Sequence, residues 1–319
     1  MSVRLEEDLH IVKNLKQNLE ACIFGKSAQI DLLLTALLAG GHVLIEDVPG
    51  TGKTVLIKAL AKSIQAQFRR IQCNPDLLPT DITGVTIYHP KHETFEFRPG
   101  PIMTNILLID EINRATTKTQ SALLEAMEEQ HITVDGELYE LPHPFLLLAT
   151  QNPIDYEGTY QLPEAQMDRF MLKFSLGYPD EQTERQMAKV HTTSSPIDDL
   201  KVVTEGPRWV DIQNRVSHLH IEDAIVNYVV QLVRMTRQHP HLLLGASPRA
   251  TLALINASKA YAFLQQRTYV LPDDVKWMAP YIMGHRLILN LEAKMQGTTI
   301  QDIIHSILQA AVAPVKIDK

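Results

Sequence analysis

The sequence predicts an α/β protein: a parallel five-stranded sheet covered by helices and carrying two hairpin inserts, followed by a smaller helical unit. Three observations predict it. Over the first half, short apolar runs alternate with stretches of helical periodicity, as strands joined by crossover helices do. Two segments interrupt that rhythm with alternating patterns of their own. After Gly177-Tyr178-Pro179-Asp180 the pattern becomes mainly helical.

The predicted strands are His42–Glu46, Phe68–Gln72, Ile106–Ile109, Phe145–Thr150 and a fifth near Met171–Leu176. The first interruption, Thr83–Gly100, reads as a hairpin whose loop holds Pro90 and Lys91. The second, Ile132–Leu141, carries Asp135-Gly136 between alternating residues, a strong two-residue turn signal. Helical stretches include Ile221–Arg237 and Ala250–Leu264, and Thr192–Pro207 reads as a looser connector. The boundary is placed near Tyr178, giving an α/β core over residues 1–178 and a helical unit over 179–319.

Bulk properties agree with two units. A chain of 319 residues is long for a single core. Hydrophobic residues at 45% and charged residues at 21% suit a soluble globular protein. The net charge of −7 argues against a dominant nucleic-acid surface, which needs excess Lys and Arg. Cys22 and Cys73 match no metal-ligand spacing and read as buried thiols, at home in a reducing compartment. The opening MSVRLEEDLH is acidic and no signal peptide. Apolar runs such as Phe145–Ala149 are far short of the ~18 residues that span a bilayer. A cytoplasmic protein is expected.

The strongest motif lies in GHVLIEDVPGTGKTVLIKAL. An apolar strand enters Pro49-Gly50-Thr51-Gly52-Lys53-Thr54 and a helical pattern follows, which is the context a phosphate-binding loop requires. Gly50 and Gly52 let the backbone fold tightly, so that its N–H groups converge on phosphate oxygens. The helix N-terminus adds donors and favourable dipole charge. Lys53 can reach the β- and γ-phosphates, and the Thr54 hydroxyl can ligate Mg²⁺. The full consensus is not met, because Asp47 stands at its first glycine position.

In NILLIDEINRA, Asp110 and Glu111 end an apolar strand. Two carboxylates there cost desolvation unless a cation or donors compensate. A Walker B site supplies that compensation: Asp110 holds Mg²⁺ and Glu111 polarises the attacking water. Asn152 closes the next strand in Gln151-Asn152-Pro153. It can orient that water, although asparagine before proline also forms turns.

Two arginines add a further element. In Gly245-Ala246-Ser247-Pro248-Arg249, Ser247 reads as an N-cap and Pro248 as the first helical residue. Arg249 then lies in the first turn, where a cation opposes the helix dipole, and a nearby γ-phosphate would explain it. Arg169 lies in PEAQMDRF. It suits an arginine finger given across a subunit boundary, and equally a local pair with Asp168 or Glu164.

Together these motifs resemble the AAA+ superfamily and, within it, the MoxR-type ATPases. The resemblance runs from IFGKSAQI through EDVPGTGKT, PDLLPTDITG, FRPGPI, LLIDEINRATTKTQSALLEAMEE, LLATQNPIDYEGTYQLPEAQMDRF and GASPRA. It implies a P-loop AAA+ core with an α-helical lid, binding ATP with Mg²⁺ and hydrolysing it. The implied nucleotide contacts are Val48, Pro49, Gly50, Thr51, Gly52, Lys53, Thr54 and Val55, with Ile23, Phe24 and Gly25 bordering the adenine. By the same resemblance Asn152 is sensor 1, Arg169 the finger acting in trans and Arg249 sensor 2. The hairpins correspond to the helix-2 insert and the pre-sensor-1 hairpin. The family also implies a ring, commonly a hexamer, and a chaperone-like role in maturing or activating a protein client, often with a von Willebrand A domain partner. This sequence departs at Asp47 and at Thr116-Thr117, where prolines are frequent.

Other constellations are weaker. His89, His92 and His239 form no closed metal set and read as loop histidines. No GxSxG elbow is visible. Trp277-Met278 and the residues after them read as a buried helical face. Two other functions stay open at this point: a nucleotide-gated binding module with little turnover, and a DNA-directed motor or metal-chelatase-like subunit, the DNA reading disfavoured by the acidic charge.

Overall fold

The computed structural model describes residues 3–48, 50–152, 160–190 and 197–314. Helices α1 (Val3–Cys22) and α2 (Ser27–Leu38) lead into β1 (Val43–Glu46), α3 (Lys53–Ser63) and β2 (Phe68–Gln72). A short α4 (Pro79–Thr83) opens the first hairpin, β3 (Gly84–His89) and β4 (Thr94–Pro99). Next come β5 (Ile106–Asp110), α5 (Thr117–Glu129), the second hairpin of β6 (His131–Val134) and β7 (Glu137–Glu140), and β8 (Leu146–Gln151). The core elements end with α6 (Glu164–Met167) and β9 (Leu172–Phe174). Then follow α7 (Glu181–Val190), α8 (Gly206–Ser217), α9 (Asp223–Gln238), β10 (Leu242–Leu244), α10 (Pro248–Leu264), α11 (Pro272–Met283), β11 (Ile288–Leu289), α12 (Leu291–Met295) and α13 (Ile300–Ala310).

The main sheet has five parallel strands in the order β2-β5-β8-β1-β9. Side chains alternate across a strand, so parity divides the core in two. Val43, Ile45, Ile106, Leu108, Leu146 and Leu148 face the layer built by α1, α2, α3 and the later helices. Leu44, Leu107, Ile109, Leu147 and Ala149 face the layer built by α5 and the hairpins. The fold is thus the AAA+ arrangement of a five-stranded parallel sheet with a helical lid. β5 runs one residue beyond its apolar stretch, because Gln72 pairs in register with Asp110 and the Cys73 amide donates to the Asp110 carbonyl at 2.9 Å.

Both hairpins form where the alternating patterns place them. Asp135 and Gly136 take φ values of 52° and 86°, the positive pair a tight hairpin turn needs. Phe97 of the first hairpin stacks on Tyr139 of the second, with ring centroids 4.0 Å apart. Tyr88, Phe95 and Leu138 remain exposed.

Residues 192–196 of the connector lie outside the described residues, and from Ile197 onward it packs on α3. Lys62 of α3 donates to the carbonyls of Ile197 at 2.8 Å and Asp198 at 2.9 Å, and the Val203 amide donates to the Ser63 carbonyl at 2.7 Å. Pro207 belongs to α8, whose first turn needs no N–H from it. In α11, Met278 and Ala279 are buried while Trp277 stacks on Tyr261 at 4.1 Å, so this face is packing. Cys22 and Cys73 are both buried thiols that form no disulfide. Among the described residues, no helix is long and apolar enough to cross a membrane.

Candidate active site

The phosphate loop leaves β1 at the carboxyl edge of the sheet, and Gly52 caps the N-terminus of α3. Gly50 and Gly52 hold φ values of 84° and 88°, a region costly for side-chain-bearing residues. A Cβ at either would meet nothing within 4 Å, so glycine is required by backbone conformation and not by crowding. Lys53 folds back, its Nζ donating to the Val48 carbonyl at 2.7 Å. Pro49 lies outside the described residues.

Asp47 is buried and has a local task. Its carboxylate accepts the Val48 amide at 2.9 Å and the Gly177 amide at 3.1 Å. A glycine at this position offers no such acceptor, so the departure from the loop consensus supplies a clamp.

Facing the loop, Asp110 and Glu111 end β5. The Thr150 hydroxyl on β8 joins them: it donates to Asp110 Oδ1 at 3.2 Å and accepts the Glu111 amide at 2.9 Å. Arg70 on β2 donates through Nε to Asp110 Oδ2 at 2.5 Å. Glu111 sits in the left-handed region at φ 57°, a conformation rare for glutamate that aims its carboxylate out of the strand. There Glu111 Oε2 accepts Gln72 Nε2 at 2.9 Å and pairs with Arg114 Nε at 3.0 Å. Burial, reinforced by the Asp110 and Glu111 charges, pushes the Cys73 thiol up to about 12, which leaves it protonated and unreactive.

The loop and the two carboxylates line one cavity of about 300 Å³. Of the residues expected at the nucleotide, Gly50, Thr51, Gly52, Lys53, Thr54, Val55, Asp110, Glu111 and Asn152 line it. Arg70, Gln72 and Thr150 also line it, although no local motif in the sequence marks them. Ile23, Phe24 and Gly25 do not; they follow α1, where a Cβ on Gly25 would meet Thr183 Oγ1 at 2.8 Å. The donor set fits magnesium. The cation takes hard oxygens and is held by one or two carboxylates together with phosphates, and Asp110 and the Thr54 hydroxyl provide that minimum in one cavity. No cluster of three or more His, Cys, Asp or Glu side chains suited to a metal occurs among the described residues.

Arg169 and Arg249 lie elsewhere. They line a second cavity of about 310 Å³ between α5, the segment after α6 and the start of α10. The neighbour of Arg249 within this chain is therefore not the phosphate loop. Its guanidinium pairs with Glu128, near the end of α5. Glu128 also takes Arg169 Nε at 2.9 Å, in place of the local partners Asp168 and Glu164. That contact is an ion pair without an aligned hydrogen bond. Ser247 caps α10 as its sequence suggests, accepting the Arg249 amide at 3.1 Å and donating to Asp168 Oδ2 at 2.7 Å. The other Asp168 oxygen accepts Arg286 Nε at 2.6 Å, and Arg286 also reaches the Phe170 carbonyl at 2.7 Å. Burial pulls the Arg286 guanidinium below its ordinary value, and Asp168 works against that.

A glycine-cradled loop at the head of a helix, opposite a strand-end Asp-Glu pair on a parallel sheet, defines a P-loop nucleotide-binding protein. Comparison with known proteins narrows the class. The ATPase family associated with various cellular activities (AAA) matches residues 42–172, and the AAA lid domain matches residues 234–307. The uncharacterized protein YeaC of Bacillus subtilis is 49% identical over 98% of both chains. The chaperone MoxR1 of Mycobacterium tuberculosis is 38% identical over 97% of this chain and 84% of its own. A crystal structure of a candidate ATPase from Cytophaga hutchinsonii superposes with a TM-score of 0.90 at 38% identity, covering 97% of this chain and 98% of that one. The chain belongs to the MoxR-type AAA+ ATPases.

Proposed function

We propose that this chain binds ATP with Mg²⁺, hydrolyses it, and uses the cycle to remodel or activate a protein client. One observation carries the reading. The loop lysine, the metal-binding pair Thr54 and Asp110, the candidate base Glu111 and the water-orienting candidate Asn152 share one cavity, while Arg169 and Arg249 stand together outside it. A site whose one lining arginine among the described residues, Arg70, is already paired with Asp110, in a chain that displays Arg169 and Arg249 elsewhere, suits a ring in which each subunit completes its neighbour's site. Lys53 binds the terminal phosphates, Glu111 takes the proton from the attacking water, and Arg169 and Arg249 of the next subunit meet the developing charge. Magnesium, when bound, neutralises phosphate charge and orients the phosphate chain.

The rest of the reading is a core over residues 1–178 and a lid over 179–319, hexameric assembly, a von Willebrand A domain partner and a cytoplasmic location. The chaperone name of the mycobacterial relative supports the remodelling role. A Glu111→Gln variant is expected to bind ATP and to lose about 100-fold or more in turnover, as loss of a general base does. Wild-type turnover by that variant would remove Glu111 from the mechanism. A second reading, a nucleotide-gated module with little turnover, draws on Glu111 being held by Gln72 and Arg114. Steady-state phosphate release by the assembled wild-type protein separates the two.

A further inference from the structure

Arg70 belongs to no motif of the nucleotide site, yet it reaches into it. It sits on β2, an edge strand of the sheet, opposite Leu108 and two residues before Gln72. The pleat therefore puts Arg70 and Gln72 on one face, and each takes one of the two strand-end carboxylates. Gln72 holds Glu111, and Arg70 holds Asp110 at 2.5 Å. The Arg70 side chain is 50% exposed and that of Asp110 10%. The buried partner is thus fixed by the Thr150 hydroxyl while the exposed one can swing away. Both oxygens of Asp110 are engaged, Oδ1 by Thr150 and Oδ2 by Arg70.

We infer that Arg70 is a resting-state counter-cation for Asp110, which must be released before a divalent cation can use that carboxylate, and which therefore sets how strongly nucleotide binding depends on magnesium. The inference rests on the nucleotide reading of this cavity. Its physics is charge balance. Without magnesium, Arg70 masks the Asp110 charge from an incoming phosphate chain. With magnesium, Arg70 competes for the same oxygen. Arg70 is thus a positioning residue that tunes the cation requirement.

The test is calorimetric titration of the intact protein with ADP, in magnesium and in EDTA. In Arg70→Gln, ADP should bind more weakly in EDTA and no more weakly in magnesium. The ratio of the two affinities should rise about two- to fivefold, the scale of a half-exposed ion pair. Arg70→Lys, which keeps the charge, should stay within about twofold of wild type on the same scale. In an Asp110→Asn background, Arg70→Gln should leave the ratio unchanged, because the partner charge is gone. An unchanged ratio in Arg70→Gln overturns the inference. So does an equal shift in the Lys and Gln variants, which would mark lost strand packing, or a persistent shift in the Asp110→Asn background. Failure of the wild-type protein to bind ADP in either condition would instead overturn the nucleotide reading beneath it.

Discussion

The Asp47 carboxylate accepts the Gly177 amide at 3.1 Å, which ties the phosphate loop to the chain leaving β9. The same carboxylate accepts the Val48 amide at 2.9 Å. Replacing Asp47 by glycine, the residue a P-loop usually has there, therefore removes two charge-assisted hydrogen bonds. Asp47→Gly is expected to cost about 2 kcal/mol, read as a lower urea midpoint, and to loosen nucleotide binding as the loop loses its tether. An unchanged midpoint would mean that water replaces the carboxylate at both amides.

A second prediction concerns Asp168 and Arg286. Arg286 is 7% exposed and donates to the Asp168 carboxylate and to surrounding carbonyls, among them that of Phe170. Removing the buried guanidinium strips Asp168 Oδ1 of its donor and its counter-charge, and leaves Ser247 on Oδ2 as the remaining partner of that carboxylate. Arg286→Met should therefore cost about 3–5 kcal/mol. Arg286→Lys should recover only part of it, since one ammonium cannot reproduce the planar fork. Equal urea midpoints for the Lys variant and the wild type would count against the fork geometry.

Much of this organisation is legible in the sequence, and the part that is not has a common cause. Strands, hairpins and the Ser247 cap are local: alternation, Asp135-Gly136 and Ser247-Pro248 each carry their own signal. The P-loop and the Asp110-Glu111 pair are legible because their chemistry is contiguous in the chain. Thr150, Arg70 and Glu128 are not, because each acts on residues far away in sequence. Thr150 meets Asp110 only through the pairing of β5 with β8, and Arg70 only through that of β2 with β5. The first-turn position of Arg249 asks for an anion and so points to a phosphate; Glu128, 121 residues earlier, is the anion it meets within the chain. The positive φ of Glu111 has no sequence signal, since nothing in Asp-Glu-Ile asks for it.

A third prediction follows from His42, which is buried between the sheet and α5. Its Nδ1 accepts the Leu147 amide at 3.0 Å, so its Nε2 carries the proton and donates to the Met127 carbonyl at 3.0 Å. Only the neutral ring satisfies both. Burial pulls its pKa from 6.5 down to about 4. The unfolded chain therefore binds a proton here that the folded chain refuses. The stability from this group is complete above pH 6.5 and is lost as pH falls from there toward about 4, some 3 kcal/mol in total. His285, also buried and held well below its ordinary value, acts in the same sense. Urea midpoints measured from pH 7.5 to 4.5 should fall steadily on acidification. His42→Gln should flatten that slope, and an unaltered slope would assign the effect to other groups.

The last prediction concerns where the two arginines act. Glu128 holds Arg169 and Arg249 together, and neither lines the cavity that holds Lys53 and Glu111. If they act on a neighbour's nucleotide, the two halves of a working site come from different chains. Arg169→Ala then spoils the neighbour's site and leaves its own intact, whereas Glu111→Gln does the reverse. Each variant alone should hydrolyse ATP poorly. Mixed in equal amounts and allowed to exchange subunits, they should regain roughly a quarter of wild-type activity, because a site works wherever an Arg169→Ala subunit receives its arginine from a Glu111→Gln neighbour. Arginines acting within their own chain would give no gain on mixing at any ratio, so the mixing curve of phosphate release separates the two arrangements without knowledge of the client.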